Sequence, residues 1–299
     1  MKDYVCVIGG ANIDISSTAF APLIKCDSNP SKTTLSLGGV GRNVSENLAR
    51  LGVKTKFITA FGNDIYAEKI IESCKSLGID TSDSLNTASP TSTYLCINDN
   101  NGDMFIGASD MEILNLIDED FLRSKLELLN NAKAVAIDTN LSPKALEFVL
   151  NNCDTPIFIE TVSVNKTKKL HGLPGAHTIK PNIFEAGELV GMKIKSQKDL
   201  HKAADILHKQ GYKNIVITLG EKGAFFSNEK SVGLVWEKAD KILNTTGAGD
   251  SFFAALIWGY VCGYDLKTAC QCGNRAAIMT LASDKAVNPD ITAEKITVK

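Results

Sequence analysis

Short apolar runs of strand length alternate with amphipathic helical stretches through most of the chain. The predicted strands cover residues 4–8, 56–61, 134–137, 157–159, 178–179 and 215–219. The predicted helices cover residues 44–51, 65–77, 118–130, 143–151, 165–171, 183–190 and 198–210. Continuous apolar strands between helices are typical of a parallel sheet, because the helical crossovers cover both of its faces. The pattern therefore predicts a doubly wound α/β fold.

Two segments break this alternation and predict a second, smaller sheet. Residues 12–18 and 32–37 alternate apolar and polar side chains, and residues 91–97 and 103–108 flank an Asn-Asp-Asn-Asn-Gly string that favours a hairpin turn. We expect one domain, residues 1–299, with a small antiparallel β lid built from excursions at about 12–38 and 91–108. Ordinary surface loops are the alternative interpretation.

Charge and composition exclude several classes of function. Lys and Arg total 32 against 34 Asp and Glu, a net charge of −2, so no basic surface for nucleic acid is expected. No apolar run approaches the ~20 residues of a membrane span, and the apolar run at 4–8 is too short for a signal peptide. The eight cysteines form no CxxC pair and are typical of buried, inert thiols in a reducing compartment. We therefore expect a cytoplasmic protein.

The segment 244–253, Asn-Thr-Thr-Gly-Ala-Gly-Asp-Ser-Phe-Phe, indicates an anion site. Gly247, Ala248 and Gly249 precede a long apolar helix, where small residues expose backbone N–H groups at the positive end of the helix dipole. Asp250 then begins the helix. A capping role would explain this acid alone. Beside a bound phosphate, however, a carboxylate is repulsive, and it is better explained as the base for a hydroxyl that attacks phosphorus.

Two common nucleotide-binding loops do not fit the sequence. A dinucleotide fingerprint, GxGxxG, needs a third glycine where the chain has Phe252, and it belongs near the start of a βαβ unit. The P-loop string GxxxxGK[ST] does not occur. A phosphoryl transfer by this chain would therefore not use a P-loop.

A second glycine string, Gly-Gly-Val-Gly-Arg-Asn at 38–43, also precedes a helix. Small residues allow a ligand to approach the backbone closely, and the helix N-terminus supplies hydrogen-bond donors. The string therefore indicates a second part of a binding site. A glycine hinge between sheet and helix is the alternative interpretation.

Together and in this order, the two strings resemble the signatures of the PfkB-type, or ribokinase-like, family of carbohydrate and nucleoside kinases. The resemblance extends over essentially the whole chain. It implies a mostly parallel, doubly wound sheet flanked by helices, with a small β lid. It also implies ATP-dependent phosphorylation of a primary sugar hydroxyl, with Mg²⁺ as a cofactor. A ligand-binding regulator of the same fold without the chemistry is the alternative.

The resemblance also implies roles for individual residues. Those expected to bind the substrate are Asn12, Asp14, Gly39, Gly41, Arg42, Asn43, Thr93 and Lys166. Those expected to bind ATP are Asn182, Thr218, Gly220, Gly223 and Asn274. Asp250 is the expected catalytic base, with Gly247, Ala248 and Gly249 around the transferred phosphoryl group. Glu185 is expected to organise Mg²⁺ through water, although a helix-capping role for Asn182 is an adequate alternative.

Asn244 and Thr246 mark a further site that the resemblance implies. In relatives this region binds a monovalent cation largely through carbonyl oxygens, and Asp often stands where this chain has Asn244. The carbonyl groups are retained here while the charge is not. We therefore expect K⁺ as a second cation, without the charge that an aspartate would add.

Within the family, several strings resemble the branch that phosphorylates pseudouridine. They are the string at 38–43, Ser-Asn-Pro at 28–30, Thr-Ser-Thr-Tyr at 91–94 and Ser-Asp-Met at 109–111. Residues 160–166 resemble that branch's Asp-Pro-Val-Ser…Lys stretch, but Glu160 and Thr161 replace Asp-Pro. The expected reaction is phosphorylation of the pseudouridine 5′-hydroxyl by ATP. Another nucleoside, or a free sugar such as ribose or fructose, is the alternative, and an open lid edge predicts pairing into a homodimer.

Overall fold

An eight-stranded sheet lies at the centre of the protein, in a computed structural model that describes residues 2–298. The strands of the protein in chain order are β1 (Val5–Ile8), β2 (Asn12–Ala19), β3 (Ser31–Gly38), β4 (Thr55–Ile58), β5 (Ala60–Phe61), β6 (Leu85–Asn86), β7 (Thr93–Asn98), β8 (Met104–Asp110), β9 (Ala134–Asp138), β10 (Ile157–Glu160), β11 (Thr178–Lys180), β12 (Asn214–Thr218), β13 (Ala224–Ser227) and β14 (Val232–Val235). The α-helices are α1 (Val40–Arg50), α2 (Ile65–Ser76), α3 (Glu119–Asn130), α4 (Pro143–Asn152), α5 (Val164–Thr167), α6 (Ile183–Val190), α7 (Gln197–Lys209), α8 (Ala248–Val261), α9 (Leu266–Leu281) and α10 (Ala293–Ile296).

The main sheet has the order β14-β13-β12-β11-β10-β9-β1-β4. Its first six members from the β4 side are parallel, and β13 and β14 are added antiparallel. Apolar side chains of α3, α4, α6 and α7 pack on one face, and those of α1, α2, α8 and α9 pack on the other. The predicted doubly wound fold is confirmed. The strand order reverses at β1, and in such sheets the crevice beside a reversal is the usual ligand site.

A small sheet of β2, β3, β7 and β8 stands beside the main sheet, in the order β3-β2-β7-β8. The predicted lid therefore exists, and the turn predicted at 98–102 joins β7 to β8. The expectation that it is antiparallel throughout is wrong, because β2 and β7 pair in parallel. Each excursion is a hairpin that begins with an outgoing strand. Since the two outgoing strands lie side by side, they run in the same direction.

Other elements differ from the prediction in their limits. Helix α1 begins at Val40 rather than at residue 44, so the Gly-Arg-Asn part of the second glycine string lies inside the helix. The predicted strand at 56–61 is two strands, since β5 turns away to pair with β6. The antiparallel pair β13 and β14 was not predicted.

The cysteines are only partly as expected. Cys6, Cys74, Cys270 and Cys272 are buried, whereas Cys26 and Cys262 are exposed. All eight are free thiols. Within residues 2–298, no helix combines the length and the apolar character needed to cross a bilayer.

Candidate active site

The two glycine strings meet at the carboxyl edge of the main sheet. Asn43 lies in the first turn of α1 and Asp250 in the first turn of α8. The side-chain amide of Asn43 donates a hydrogen bond to Asp250 Oδ2 at 2.8 Å, across 207 residues of sequence. The N-termini of both helices therefore face one site.

Asp250 has the protonation chemistry of a general base. The pKa of its carboxyl group is raised to about 6, chiefly because the group is removed from water. The hydrogen bond from Asn43 and the ammonium group of Lys180 act in the opposite direction. The carboxylate is thus mostly ionised at neutral pH, with a pKa close enough to neutrality for proton transfer.

The glycines before Asp250 leave backbone donors free. Gly247 has a φ of 80°, and a Cβ atom there would lie 1.9 Å from the carbonyl oxygen of Ala286. The first helical hydrogen bond of α8 runs from Ser251 N to Gly247 O. Within residues 2–298, the N–H groups that precede it have no helical acceptor, so they are available to an anion.

Asn12 and Asp14 lie at the base of the small sheet. Asn12 donates a hydrogen bond to Asp14 Oδ1 at 2.6 Å, and burial raises the pKa of Asp14. A Cβ atom at Gly38 would lie 2.2 Å from Asp14 Oδ2, and one at Gly39, whose φ is 97°, would lie 2.4 Å from the Gly10 carbonyl oxygen. Glycine at both positions lets the start of α1 approach these side chains closely.

Two predicted substrate residues in α1 make their contacts within the protein. Gly41 is buried, and a Cβ atom there would lie within 3 Å of Gly9 and Phe57, so packing explains this glycine. Arg42 is 5% exposed, and its guanidinium donates to Glu46 at 2.8 Å and to Asn43 Oδ1 at 3.1 Å. Arg42 therefore orients the amide of Asn43, so that its NH₂ group faces Asp250.

Thr93 lies on the other side of the small sheet from Asp14. Thr93 pairs with Ile13, whereas Asp14 pairs with Tyr94. Directly paired residues share a face of a sheet, and successive residues alternate. The register therefore places Tyr94, which the sequence did not single out, on the same face as Asp14.

Lys166 reaches the site through a network that the sequence analysis missed. Its ammonium group donates to Asn140 Oδ1 at 2.5 Å, and the backbone N–H of Asn140 donates to Asp138 Oδ1 at 2.8 Å. The other oxygen of Asp138 accepts from Gly10 N at 2.9 Å. Asp138 is 2% exposed, and burial raises its pKa. The sequence did contain a signal for Asp138, because this acid directly follows the apolar run at 134–137 and ligands bind at the carboxyl ends of parallel strands.

Asn182 and Glu185 form a capping box at the start of α6. Asn182 Oδ1 accepts from the backbone of Phe184 and Glu185, while Glu185 Oε2 accepts from Asn182 N at 2.8 Å and from Thr161 Oγ1 at 2.6 Å. Among residues 2–298, no donor reaches the other carboxylate oxygen of Glu185, so that oxygen is available to a water molecule. Within the same residues, no group of three His, Cys, Asp or Glu side chains is arranged to hold a metal directly. These residues therefore fit Mg²⁺ held through water, the mode typical of this ion.

The predicted nucleotide residues follow β12 and lie on α9. Thr218 N donates to the Pro181 carbonyl, which ties the end of β12 to the turn before α6. Gly220 and Gly223 have positive φ angles in the connection to β13, and a Cβ atom at Gly223 would lie 2.0 Å from Val235 O. Asn274 is 8% exposed and borders a cavity of about 180 Å³, and its side-chain NH₂ has no hydrogen-bond partner within residues 2–298.

Asn244 and Thr246 form a turn of their own. Asn244 Oδ1 accepts from Thr246 N at 2.9 Å, and its NH₂ group donates to the Asp284 carbonyl at 3.4 Å. Because the side chain of Asn244 closes this turn, a cation here would have backbone oxygens as ligands. The K⁺ site stays a prediction.

The sequence and the fold have close counterparts among known proteins. The family model described as pfkB family carbohydrate kinase matches residues 2–293. The chain is 33% identical to pseudouridine kinase of Escherichia coli (strain K12), over 99% of this chain and 96% of that protein. It is 32% identical to guanosine-inosine kinase of Exiguobacterium acetylicum, over 93% of this chain and 94% of that protein.

A similar solved structure is that of Arabidopsis thaliana ribokinase complexed with ribose and ATP. Its TM-score is 0.86 at 20% identity, and the match covers 99% of this chain and 98% of that chain. At this identity the likeness concerns the fold. PfkB kinases use ATP with Mg²⁺. With the family match over residues 2–293 and the two glycine strings joined at Asp250, the chain belongs to the PfkB family of carbohydrate kinases and is a phosphotransferase with an alcohol group as acceptor.

Proposed function

We propose that this protein transfers the γ-phosphate of ATP to the 5′-hydroxyl of a nucleoside, and that pseudouridine is its substrate. The observation that carries the chemistry is the placement of Asp250. Its carboxylate, with a pKa of about 6, lies at a helix N-terminus with free backbone donors and is held by Asn43. A base beside an anion site is the arrangement that activates a hydroxyl against phosphorus.

In the proposed reaction, Asp250 accepts the proton of the 5′-hydroxyl as its oxygen forms a bond to the γ-phosphorus. The bond between the γ-phosphorus and the β–γ bridging oxygen breaks, and ADP leaves with that electron pair. The N–H groups at the start of α8 stabilise the negative charge on the transferred group. Loss of one such donor typically costs about 2.7–4 kcal/mol of transition-state stabilisation.

Asn182 and Glu185 are the proposed Mg²⁺ residues. Bound there, the ion would neutralise charge on the nucleotide phosphates. Asn274 is the proposed contact to adenine, because its unpartnered amide borders a cavity and needs an acceptor. The connection with Gly220 and Gly223 is the proposed backbone contact to the same nucleotide.

The proposal of a nucleoside substrate rests on two sets of residues, one proposed for the ribose and one proposed for the base. Asn12 and Asp14 offer an amide and a carboxylate to ribose hydroxyls, and a carboxylate can accept from two neighbouring hydroxyls. Lys166 and Asn140, which are hydrogen-bonded to each other, are the polar groups that we propose for the base. The 33% identity to a pseudouridine kinase and the strings at 38–43 and 160–166 support pseudouridine within that class.

The test measures ADP formation with pseudouridine, uridine, guanosine, inosine, adenosine, ribose and fructose at equal concentrations. We expect the highest kcat/KM with pseudouridine. A higher value with guanosine or inosine would overturn the pseudouridine proposal and favour the function of the relative that is 32% identical. A higher value with ribose or fructose would overturn the nucleoside proposal altogether.

We further propose that two copies pair through the small sheet. Among residues 2–298, no strand pairs with the outer edges of β3 and β8, and β8 is exposed along its whole length. Met104, Phe105 and Ile106 are each more than half exposed on β8. An open, apolar edge strand is a surface for pairing with another strand. Sedimentation velocity should show a dimer that Phe105→Lys converts to a monomer, and a monomeric unmodified protein would overturn the pairing.

A further inference from the structure

Three charged residues lie side by side beneath the start of α8. Asp138, Glu160 and Lys180 end the adjacent strands β9, β10 and β11, and they pair in register. In-register residues of neighbouring strands share a face of the sheet. Their exposures are 2%, 5% and 3%. The strands thus present two acids and one base in a buried row.

Lys180 is the member of this row beside the proposed phosphate site. A Cβ atom at Gly249 would have a single neighbour within 4 Å, the ammonium nitrogen of Lys180 at 3.7 Å. Because Gly249 has no side chain, the space between this ammonium group and the free N–H groups of α8 stays open. Lys180 and the helix N-terminus therefore face the same volume from two sides.

Within residues 2–298, Glu160 is the one partner of the Lys180 ammonium group. Its Nζ lies 2.8 Å from Glu160 Oε2, yet that oxygen has no directed hydrogen bond within residues 2–298. Among those residues, Lys180 Nζ donates no hydrogen bond to any group other than Glu160. An ammonium group has three N–H donors, so one that faces a single carboxylate keeps donors for a ligand. The arrangement fits an anion that arrives with the substrate.

We propose that Lys180 binds the γ-phosphoryl group of ATP and that Glu160 is the positioning residue that holds it there. This inference rests on the proposed kinase reaction at Asp250. A phosphoryl group over α8 lies next to the negative charge of Asp250, and the ammonium group of Lys180 offsets that repulsion. Glu160 Oε2, 2.8 Å from Lys180 Nζ, anchors the ammonium group beside this site.

Nucleotide binding tests the first half of the proposal. Isothermal titration with Mg²⁺ compares ADP with AMP-PNP, a nucleotide that retains a γ-phosphoryl group but is not hydrolysed. Lys180→Met should weaken AMP-PNP binding roughly 10- to 100-fold, the usual effect of a hydrogen bond to a charged group, and ADP binding much less. The control is Lys213→Met, at an exposed lysine at the amino end of β12, which should change neither. Equal losses for both nucleotides, or no loss, would overturn the role of Lys180.

A double-mutant cycle tests the second half. Glu160→Gln alone should weaken AMP-PNP binding, and it should have no further effect when added to Lys180→Met, because a positioning residue acts only through its partner. The double variant also removes both buried charges, so it remains measurable if Lys180→Met alone does not fold. Equal losses from Glu160→Gln in both backgrounds would show that Glu160 does not act through Lys180.

Neither binding experiment, with ADP or with AMP-PNP, includes the substrate that accepts the phosphoryl group. If the enzyme phosphorylates something other than pseudouridine, the substrate proposal fails while these binding results stand. If AMP-PNP binds no differently in Lys180→Met but pseudouridine is phosphorylated, the present inference fails alone.

Discussion

The main sheet and the small sheet both contribute residues to the proposed site, and they are supported in different ways. Strands β9 and β10 are buried at every position, and two helical layers cover their sheet. In the small sheet, β8 is exposed throughout and β3 over most of its length. The phosphoryl-transfer groups thus lie on the part that the core fixes, whereas Asn12 and Asp14 of the proposed acceptor site lie on a part fixed mainly at its base. Changes at the two parts should affect different kinetic constants.

The largest expected effect belongs to the main-sheet half. Asp250→Asn should lower kcat at least roughly 1,000-fold, since it removes the proposed base. The pKa of Asp250 is raised to about 6, so its protonated form stabilises the fold, and this contribution is lost as the pH rises through about 6. At pH 7 the neutral amide should therefore raise the Tm. Near-normal turnover would contradict the assignment, and Asp154→Asn, at an exposed acid before β10, is the matched control.

Asp14→Ala tests the small-sheet half. We expect the KM of the nucleoside to rise roughly 10- to 100-fold, because hydrogen bonds from its hydroxyls to a charged group are lost. The KM of ATP should stay the same. Steady-state kinetics with each substrate varied in turn gives both constants. An equal rise in the KM of ATP would contradict the assignment of Asp14 to the nucleoside alone.

The pH profile of kcat/KM tests the hydrogen bond from Asn43 of α1 to Asp250 of α8. For the unmodified enzyme, kcat/KM should fall as the pH falls through about 6, where Asp250 gains a proton. Asn43→Ala removes a hydrogen bond that favours the carboxylate, so the pKa of Asp250 should rise and the acid limb should move to higher pH. An acid limb that stays in place would show that another group titrates.

The smallest expected effect is a difference in backbone hydrogen-exchange rates between the two sheets. Backbone amides of β3 and β8 should exchange with solvent hydrogen faster than those of β9 and β10, because few buried contacts protect them. A nucleoside substrate should slow exchange at the base of β2 and leave β9 unchanged. Mass-spectrometric hydrogen exchange measures both, and equal protection of the two sheets would remove the basis of the comparison.

The sequence predicted the parts of the site that are local in the chain. Each glycine string stands directly before a helix, and this adjacency allowed each to be predicted as part of a binding site; the resemblance implied one common site, and the hydrogen bond from Asn43 to Asp250 came from the structure. The sequence did not show that Glu160 and Lys180 lie in register, because register between parallel strands depends on packing of the whole sheet. Nor did it show that Thr93 lies on the face opposite Asp14, since a one-residue difference in register changes the face. Strands β13 and β14 were missed because a connection with two glycines and charged residues separates β13 from β12.

The hairpin of β2 and β3 has one consequence for how such enzymes change over evolution. Its register runs from Asn12 opposite Gly38 at the base to Ala19 opposite Ser31 near the tip. One residue inserted into β2 before Asp14 would turn that carboxylate to the opposite face. Residues inserted at the tip, between 20 and 30, would leave every pair below unchanged. The length of the tip can therefore vary between related enzymes. A longer tip could extend over the acceptor without moving the side chains at the base of the hairpin.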